Sequence, residues 1–140
     1  MKKFVFFLFL MSILPGCGGG GGRSDPAVTI ILRGILTNGV ALGGQNGGGN
    51  PAQSGTVTIS SLGKTATITQ ANPGAYSITD VPVGGNYTVV ASEPNNPLAD
   101  VTCGISIPDS TTITVDSQTN GTCVAGTGNI GELILNITTN

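Results

Sequence analysis

The side chains that could do chemistry in this chain are few: three cysteines and seven carboxylates, with no histidine among 140 residues. The cysteines are Cys17, Cys103 and Cys123. Without histidine the chain lacks the commonest general base and a common metal ligand, so neither a Ser-His-Asp nor a Cys-His catalytic centre is expected. A structural zinc site is not expected either, because a pair of thiolates cannot complete a tetrahedral shell.

The carboxylates do not form a motif for acid–base chemistry or calcium binding. They are Asp25, Asp80, Glu93, Asp100, Asp109, Asp116 and Glu132. Most fall in turns or at strand ends, where Asp caps the local backbone. No Asp-x-Asp-x-Asp-Gly loop occurs, although a cation site assembled from separate loops stays an alternative. We therefore predict no enzyme activity, no cofactor and no metal.

Composition excludes one class of partner. Charged residues make up 9 % of the chain and its formal net charge is −2, against about 25 % charged residues in an average globular domain. No basic stripe is available to neutralise phosphates, so the chain is not predicted to bind nucleic acid.

From Ala27 onward, apolar and polar residues alternate with a period of two, which is typical of strands with one buried and one hydrated face. The alternating runs are 28–32, 57–59, 66–68, 76–78, 87–91, 101–107, 113–115 and 133–137. No window of helical period is free of Gly or Pro. The pattern predicts an all-β fold over 27–140, an antiparallel β-sandwich of seven or eight strands.

Turn-forming residues separate these runs. Turns are predicted at 61–64, 72–74 and 81–85, a surface loop at 93–100, and a turn-rich stretch at 116–129 that contains Cys123. The Gly-rich segment 38–55 is a spacer, a weak edge strand or a binding loop. Tyr76 and Tyr87 occupy the inward phase of their strands, which favours core packing over a ligand platform.

The first 17 residues have the composition of an export signal. Lys2 and Lys3 precede an apolar run at 4–14 of roughly 17 Å, too short to cross a bilayer core of about 30 Å. Leu14, Gly16 and Cys17 then resemble the cleavage and lipidation point of a bacterial lipoprotein signal peptide. The resemblance implies removal of residues 1–16 and a diacylglycerol thioether on Cys17, followed by a Gly-rich tether at 17–26. An ordinary signal cleaved nearby, leaving a free thiol, is the alternative.

Two further expectations depend on this resemblance. Since no Asp follows Cys17 directly, enterobacterial sorting favours an outer-membrane location in the bacterial cell envelope. With Cys17 lipidated, Cys103 and Cys123 remain as an even pair in an oxidising compartment, so we expect a disulfide between them.

A second resemblance covers the stretch from Gly34 through Ala91, which is similar to a carboxypeptidase regulatory-like domain, also called a transthyretin-like or prealbumin-like sandwich. Its motifs are GILT at 34–37, GTVTI at 55–59, TIT at 67–69, NPGAYSI at 72–78 and VPVGGNYTV at 81–89. Such domains are usually non-catalytic accessory modules. Together the two resemblances imply a lipid-anchored module that scaffolds or binds another envelope component, with a carbohydrate-binding or adhesion module as the alternative.

Overall fold

The computed structural model of the protein describes residues 27–39, 49–94 and 100–139. Over these ranges the chain forms β-strands and one short 3-10 turn, Ser60–Leu62, with no α-helix. In chain order the strands are β1 (Thr29–Asn38), β2 (Asn50–Pro51), β3 (Gly55–Ile59), β4 (Lys64–Ile68), β5 (Ala75–Pro82), β6 (Gly85–Ser92), β7 (Val101–Ile107), β8 (Thr114–Thr119), β9 (Gly121–Thr127) and β10 (Glu132–Thr139). The predicted signal peptide, Cys17 and the tether lie outside the described residues.

The strands form two sheets. In the β1 sheet, β5 and β2 pair with one side of β1, and β10 and then β9 follow on the other side. The β6 sheet has the order β4-β3-β6-β7-β8. The predicted all-β, two-sheet sandwich is confirmed.

Two details of the prediction were wrong. The described residues contain ten strands rather than seven or eight. The additional strands are β2, a two-residue edge, and β9, which lies in the stretch predicted as turns at 116–129. The run predicted at 113–115 continues into the same stretch as β8, which ends at Thr119. The sandwich is also not wholly antiparallel, since β1 and β10 run parallel in register Leu32↔Leu133 and Leu36↔Ile137. Side-chain alternation has the same period in parallel and antiparallel strands, so it carries no information on strand direction.

The core lies between the two sheets and consists mainly of the inward-phase residues that the alternation predicts. Val81, predicted to lie in a turn at 81–85, is also buried, because β5 continues to Pro82. The largest fully buried side chains are Ile30, Leu32, Leu36, Ile59, Ile105, Ile107, Leu133, Leu135, Ile137, Val57, Val81 and Val89. Tyr76 is buried among them and Tyr87 packs against them half-buried, as predicted. Because β1, β3, β7 and β10 each contribute two or more buried branched aliphatic side chains, removal of apolar surface from water is the main force that holds the sheets together.

The two sheets are also joined covalently. Cys103 on β7 and Cys123 on β9 form a disulfide with their Cα atoms 6.1 Å apart, which confirms the predicted pair. Both cysteines are buried in the core. Between them the chain passes from the β6 sheet to the β1 sheet at Asn120, a left-handed residue with φ of 62°. The disulfide therefore ties β9 to the opposite sheet near the point where the chain crosses over.

Of the predicted turns, the one at 72–74 illustrates why they form where they do. Gly74 has φ of 71°, and its amide donates to the carbonyl of Ala52 while its carbonyl accepts from Leu36. A Cβ at this position would also stand 2.6 Å from the Leu36 carbonyl oxygen. Glycine is thus required both by the backbone conformation and by the close approach of β1.

Candidate functional site

The described carboxylates act mainly as local partners in the structure. No group of three or more His, Cys, Asp or Glu that could hold a metal occurs within 27–39, 49–94 and 100–139. The hydrogen-bonded or ion-paired combinations are Asp80 with Lys64, Glu93 with Asn38, Asp109 with Thr111, Asp116 with Ser106, and Glu132 with Arg33. These carboxylates are spread over different ends and faces of the sandwich and form no common site. The candidate sites are instead grooves on its two outer surfaces.

The outer surface of the β1 sheet contains an apolar groove of about 340 Å³. It lies where the ladder between β1 and β10 is interrupted: the strands pair at Arg33↔Ile134 and again at Leu36↔Ile137, but not between. In the gap, the amide of Ile35 donates to Oδ1 of Asn136 at 3.1 Å instead of to a backbone carbonyl. The interruption therefore opens the sheet without leaving this amide unpaired.

Gly34 lies at the centre of this interruption. A Cβ on Gly34 would stand 1.9 Å from the carbonyl oxygen of Leu135, so only glycine fits between β1 and β10. The same carbonyl accepts a hydrogen bond from the buried hydroxyl of Tyr76. Burial raises the pKa of this hydroxyl, so it remains a donor at neutral pH.

The rim of the groove is apolar with one ion pair beside it. Ile35 is 46 % exposed, and Val124 on β9 is 55 % exposed. Ile134 lines the groove half-buried. On β1, Arg33 contacts Glu132 at 2.8 Å. Three neighbouring strands, β1, β10 and β9, thus have an isoleucine or valine at a position that faces solvent, which makes this surface unusually apolar. An apolar groove bordered by charges is suited to hold an apolar side chain of a partner.

The outer surface of the β6 sheet is polar and holds a second groove, of about 250 Å³. Its polar wall comes from a β-bulge, since Gly104 pairs with Ser117 but Ile105 pairs with Val115. The extra residue, Asp116, accepts a hydrogen bond from the hydroxyl of Ser106. Bulges turn a side chain away from the regular pleat, and this one aims a carboxylate into the groove.

Asn86 completes this polar wall. Its Oδ1 lies 2.9 Å from Oγ of Ser106, and Thr114 donates to Asp116 at 3.2 Å. Tyr87 also lines the groove, and its hydroxyl donates to the carbonyl of Pro82 at 2.7 Å. The groove thus offers amide, hydroxyl and carboxylate groups.

Glu93 departs from the sequence prediction. It was expected in a surface loop at 93–100, yet its residue is only 8 % exposed. Asn38 donates to its Oε1 at 3.2 Å, whereas Oε2 has no hydrogen-bond partner in the part of the chain that the structure describes. Glu93 follows directly after β6 and lies beside Asn38 at the end of β1 and Gly55 at the start of β3. A residue predicted to lie in a surface loop is therefore buried.

The other predicted features are placed as follows. Cys103 and Cys123 are paired, whereas Cys17 lies outside the described residues. Of the segment 38–55, the described part contributes β2 as a weak edge against Thr37 and Asn38, and residues 40–48 lie outside. No helix within the described ranges is long and apolar enough to cross a membrane.

Sequence reasoning missed both grooves. A signal for the apolar one was present, because Ile31, Ile35 and Ile134 stand on the hydrated phase of their strands. The polar groove depends on the bulge at Asp116, for which the sequence carries no comparable signal. Comparison of the chain with protein-family models, curated proteins and solved structures finds no match.

Proposed function

We propose that this chain is a bacterial lipoprotein, anchored through Cys17 and held in the cell envelope, whose sandwich binds another envelope protein without catalysing a reaction. The observation that carries the binding role is the apolar groove beside Gly34 on the outer surface of the β1 sheet. Its volume suits one or two apolar side chains of a partner protein. The Arg33–Glu132 pair on its border offers a positive and a negative charge to polar groups of the same partner. The outer membrane is the proposed location.

The anchor is tested by substitution of its cysteine. In the full chain expressed in a bacterial host, Cys17→Ser should move the protein from the membrane fraction to the soluble fraction of the envelope, because several acyl chains are needed for stable attachment. The matched control is the Cys103→Ala/Cys123→Ala double variant, which should stay on the membrane. Retention of Cys17→Ser on the membrane would contradict the anchor.

The binding surface is tested by position-specific photo-crosslinking in intact envelopes. A benzophenone side chain in place of Ile35 should give one discrete protein adduct, because it projects from the groove. The same group in place of Thr88, exposed on the β6 sheet, should give none. Adducts from position 88 alone, or from neither position, would contradict the β1 sheet as the contact surface.

A second candidate function is carbohydrate binding by the groove of the β6 sheet. The observation in its favour is the row formed by Asn86, Ser106 and Asp116, since amides and carboxylates are suited to bind sugar hydroxyls. Binding of the purified domain to a glycan array, abolished by Asp116→Ala and unaffected by Ile35→Ala, would favour this candidate over the first.

A further inference from the structure

We infer that the end of the sandwich where β1 begins rests against a phospholipid surface, with the side chain of Ile130 inserted at the interface. This inference rests on the proposed lipid anchor at Cys17. It adds an orientation of the domain and a second, weak membrane contact made by the folded body itself.

Four segments of the chain meet at this end, and three backbone hydrogen bonds tie them together. The amide of Val83 donates to the carbonyl of Val28 at 3.0 Å. The amide of Gly84 donates to Ile107 at 2.6 Å, and the amide of Ile31 donates to Gly131 at 2.9 Å. The start of β1, the β5–β6 turn, the end of β7 and the β9–β10 turn therefore form one rigid surface, which we call the entry end.

Ile130 stands at the tip of the β9–β10 turn with 98 % of its surface exposed. The turn is closed by its own backbone, because Glu132 donates to the carbonyl of Asn129 at 2.9 Å and Gly128 donates to that of Glu132 at 3.1 Å. The pairing of these polar groups lowers the cost of moving the tip out of water. The exposed isoleucine plays no part in holding the turn together.

A single exposed apolar side chain is common on protein surfaces and needs no explanation. The entry end, however, has two large exposed apolar side chains, Ile130 and Val28. Val28 is 58 % exposed and directly precedes β1. Both are found where the chain leads back toward the proposed anchor. Binding to the boundary between headgroups and acyl chains strengthens with the apolar area that is buried there.

The length of the chain before the domain limits how far this end can be from the bilayer. The ten residues 17–26 precede the domain, and a Gly-rich sequence of that length spans roughly 17 Å on average and at most about 35 Å. The ten-residue strand β1 extends about 33 Å away from the entry end. Of the two ends of the sandwich, the entry end is therefore the one that reaches the lipid.

The charges at this end favour one kind of lipid. Beside the β9–β10 turn, Arg33 and Glu132 form an ion pair at 2.8 Å that is neutral overall. Asp109, in the loop that follows β7, is fully exposed, and hydrogen bonds from Thr111 lower the pKa of its carboxyl. It therefore remains ionised near neutral pH and is repelled by anionic headgroups. A zwitterionic surface, such as phosphatidylcholine or phosphatidylethanolamine, fits this end better than an anionic one.

The test uses the fluorescence of a single tryptophan, since the chain has none. The full lipidated protein carrying Ile130→Trp is reconstituted into phosphatidylcholine vesicles whose acyl chains are brominated near the headgroup. Contact with the bromines should remove roughly half of the tryptophan emission and shift it to the blue, because interfacial side chains lie about 5–10 Å into the boundary. The matched controls are Val124→Trp on the outer surface of the β1 sheet and Gln53→Trp at the opposite end, neither of which should be quenched.

The outcomes separate the orientation from the anchor. Quenching at position 130 alone supports the inference. Quenching at 124 as strongly as at 130 would mean that the sheet lies flat on the lipid. No quenching at 130 would mean that Ile130 faces water or a protein. Either result overturns the inference, but the anchor still stands if the protein floats with the vesicles. Failure of the protein to float with the vesicles would overturn the anchor and the orientation together.

Discussion

The buried hydroxyl of Tyr76 donates a hydrogen bond to the main-chain carbonyl of Leu135. In a regular parallel ladder this carbonyl would accept from an amide of β1, but the two strands do not pair there. The Tyr76 side chain of β5 thus extends past β1 and gives the Leu135 carbonyl of β10 its hydrogen-bond donor. This hydrogen bond links three strands in the part of the sheet that carries the apolar groove.

Tyr76→Phe should lower the free energy of unfolding by about 1–3 kcal/mol, because it leaves the Leu135 carbonyl without a partner inside the core. The measurement is urea denaturation of the purified domain. Tyr87→Phe is the control: its hydroxyl also bonds to a carbonyl, that of Pro82 at 2.7 Å, but Tyr87 is half-buried and water can take its place. Equal losses for the two variants would contradict a special role for Tyr76.

The same hydroxyl predicts a loss of stability in alkali. Burial raises the pKa of Tyr76 above its ordinary value of 10.0, so the unfolded chain releases this proton at a lower pH than the folded chain does. Stability is therefore fully present below about pH 10 and falls above it, by up to about 1.4 kcal/mol per pH unit. Urea denaturation at pH 8 to 11, compared with Tyr76→Phe, isolates this contribution; identical slopes for both proteins would contradict it.

The strands and the core could be predicted from the sequence because both follow from local alternation. Leu133, Leu135 and Ile137 are buried as their spacing predicts. The disulfide followed from a count of cysteines and an expected compartment. These are properties of short segments or of composition, so they need no knowledge of which strands pair.

The grooves and the parallel β1–β10 pair could not be predicted, because they depend on contacts between distant residues. The Ile35–Asn136 hydrogen bond joins positions 101 residues apart. Most of β8 was missed for a different reason: only its start, within the run predicted at 113–115, alternates, and the rest is an edge strand hydrated on both faces. Its pairing with β7 makes it a strand regardless of its composition.

Gly34→Ala should destabilise the domain by about 3 kcal/mol or more, since the new Cβ would overlap the Leu135 carbonyl oxygen at 1.9 Å and force β1 and β10 apart. The control is Gly126→Ala on β9 of the same sheet, where the nearest atom to the new Cβ is 3.6 Å away. Its effect should stay within about 1 kcal/mol. Thermal and urea unfolding of both variants measure the difference, and similar stabilities would mean that the approach of the two strands is not fixed by glycine.

Removal of the disulfide should loosen the sandwich where its two sheets are joined. In the Cys103→Ala/Cys123→Ala variant the free energy of unfolding should fall by about 3 kcal/mol, because a cross-link over 20 residues restricts the unfolded chain by roughly that amount. The loss should appear first as faster amide hydrogen exchange in β9, an edge strand that pairs only with β10 in its own sheet. Addition of a reductant should bring the oxidised protein to the same stability and leave the variant unchanged. If reduction lowers the unfolding midpoint of both proteins equally, the effect does not come from this bond, and noncovalent packing of β9 alone must hold the two sheets together.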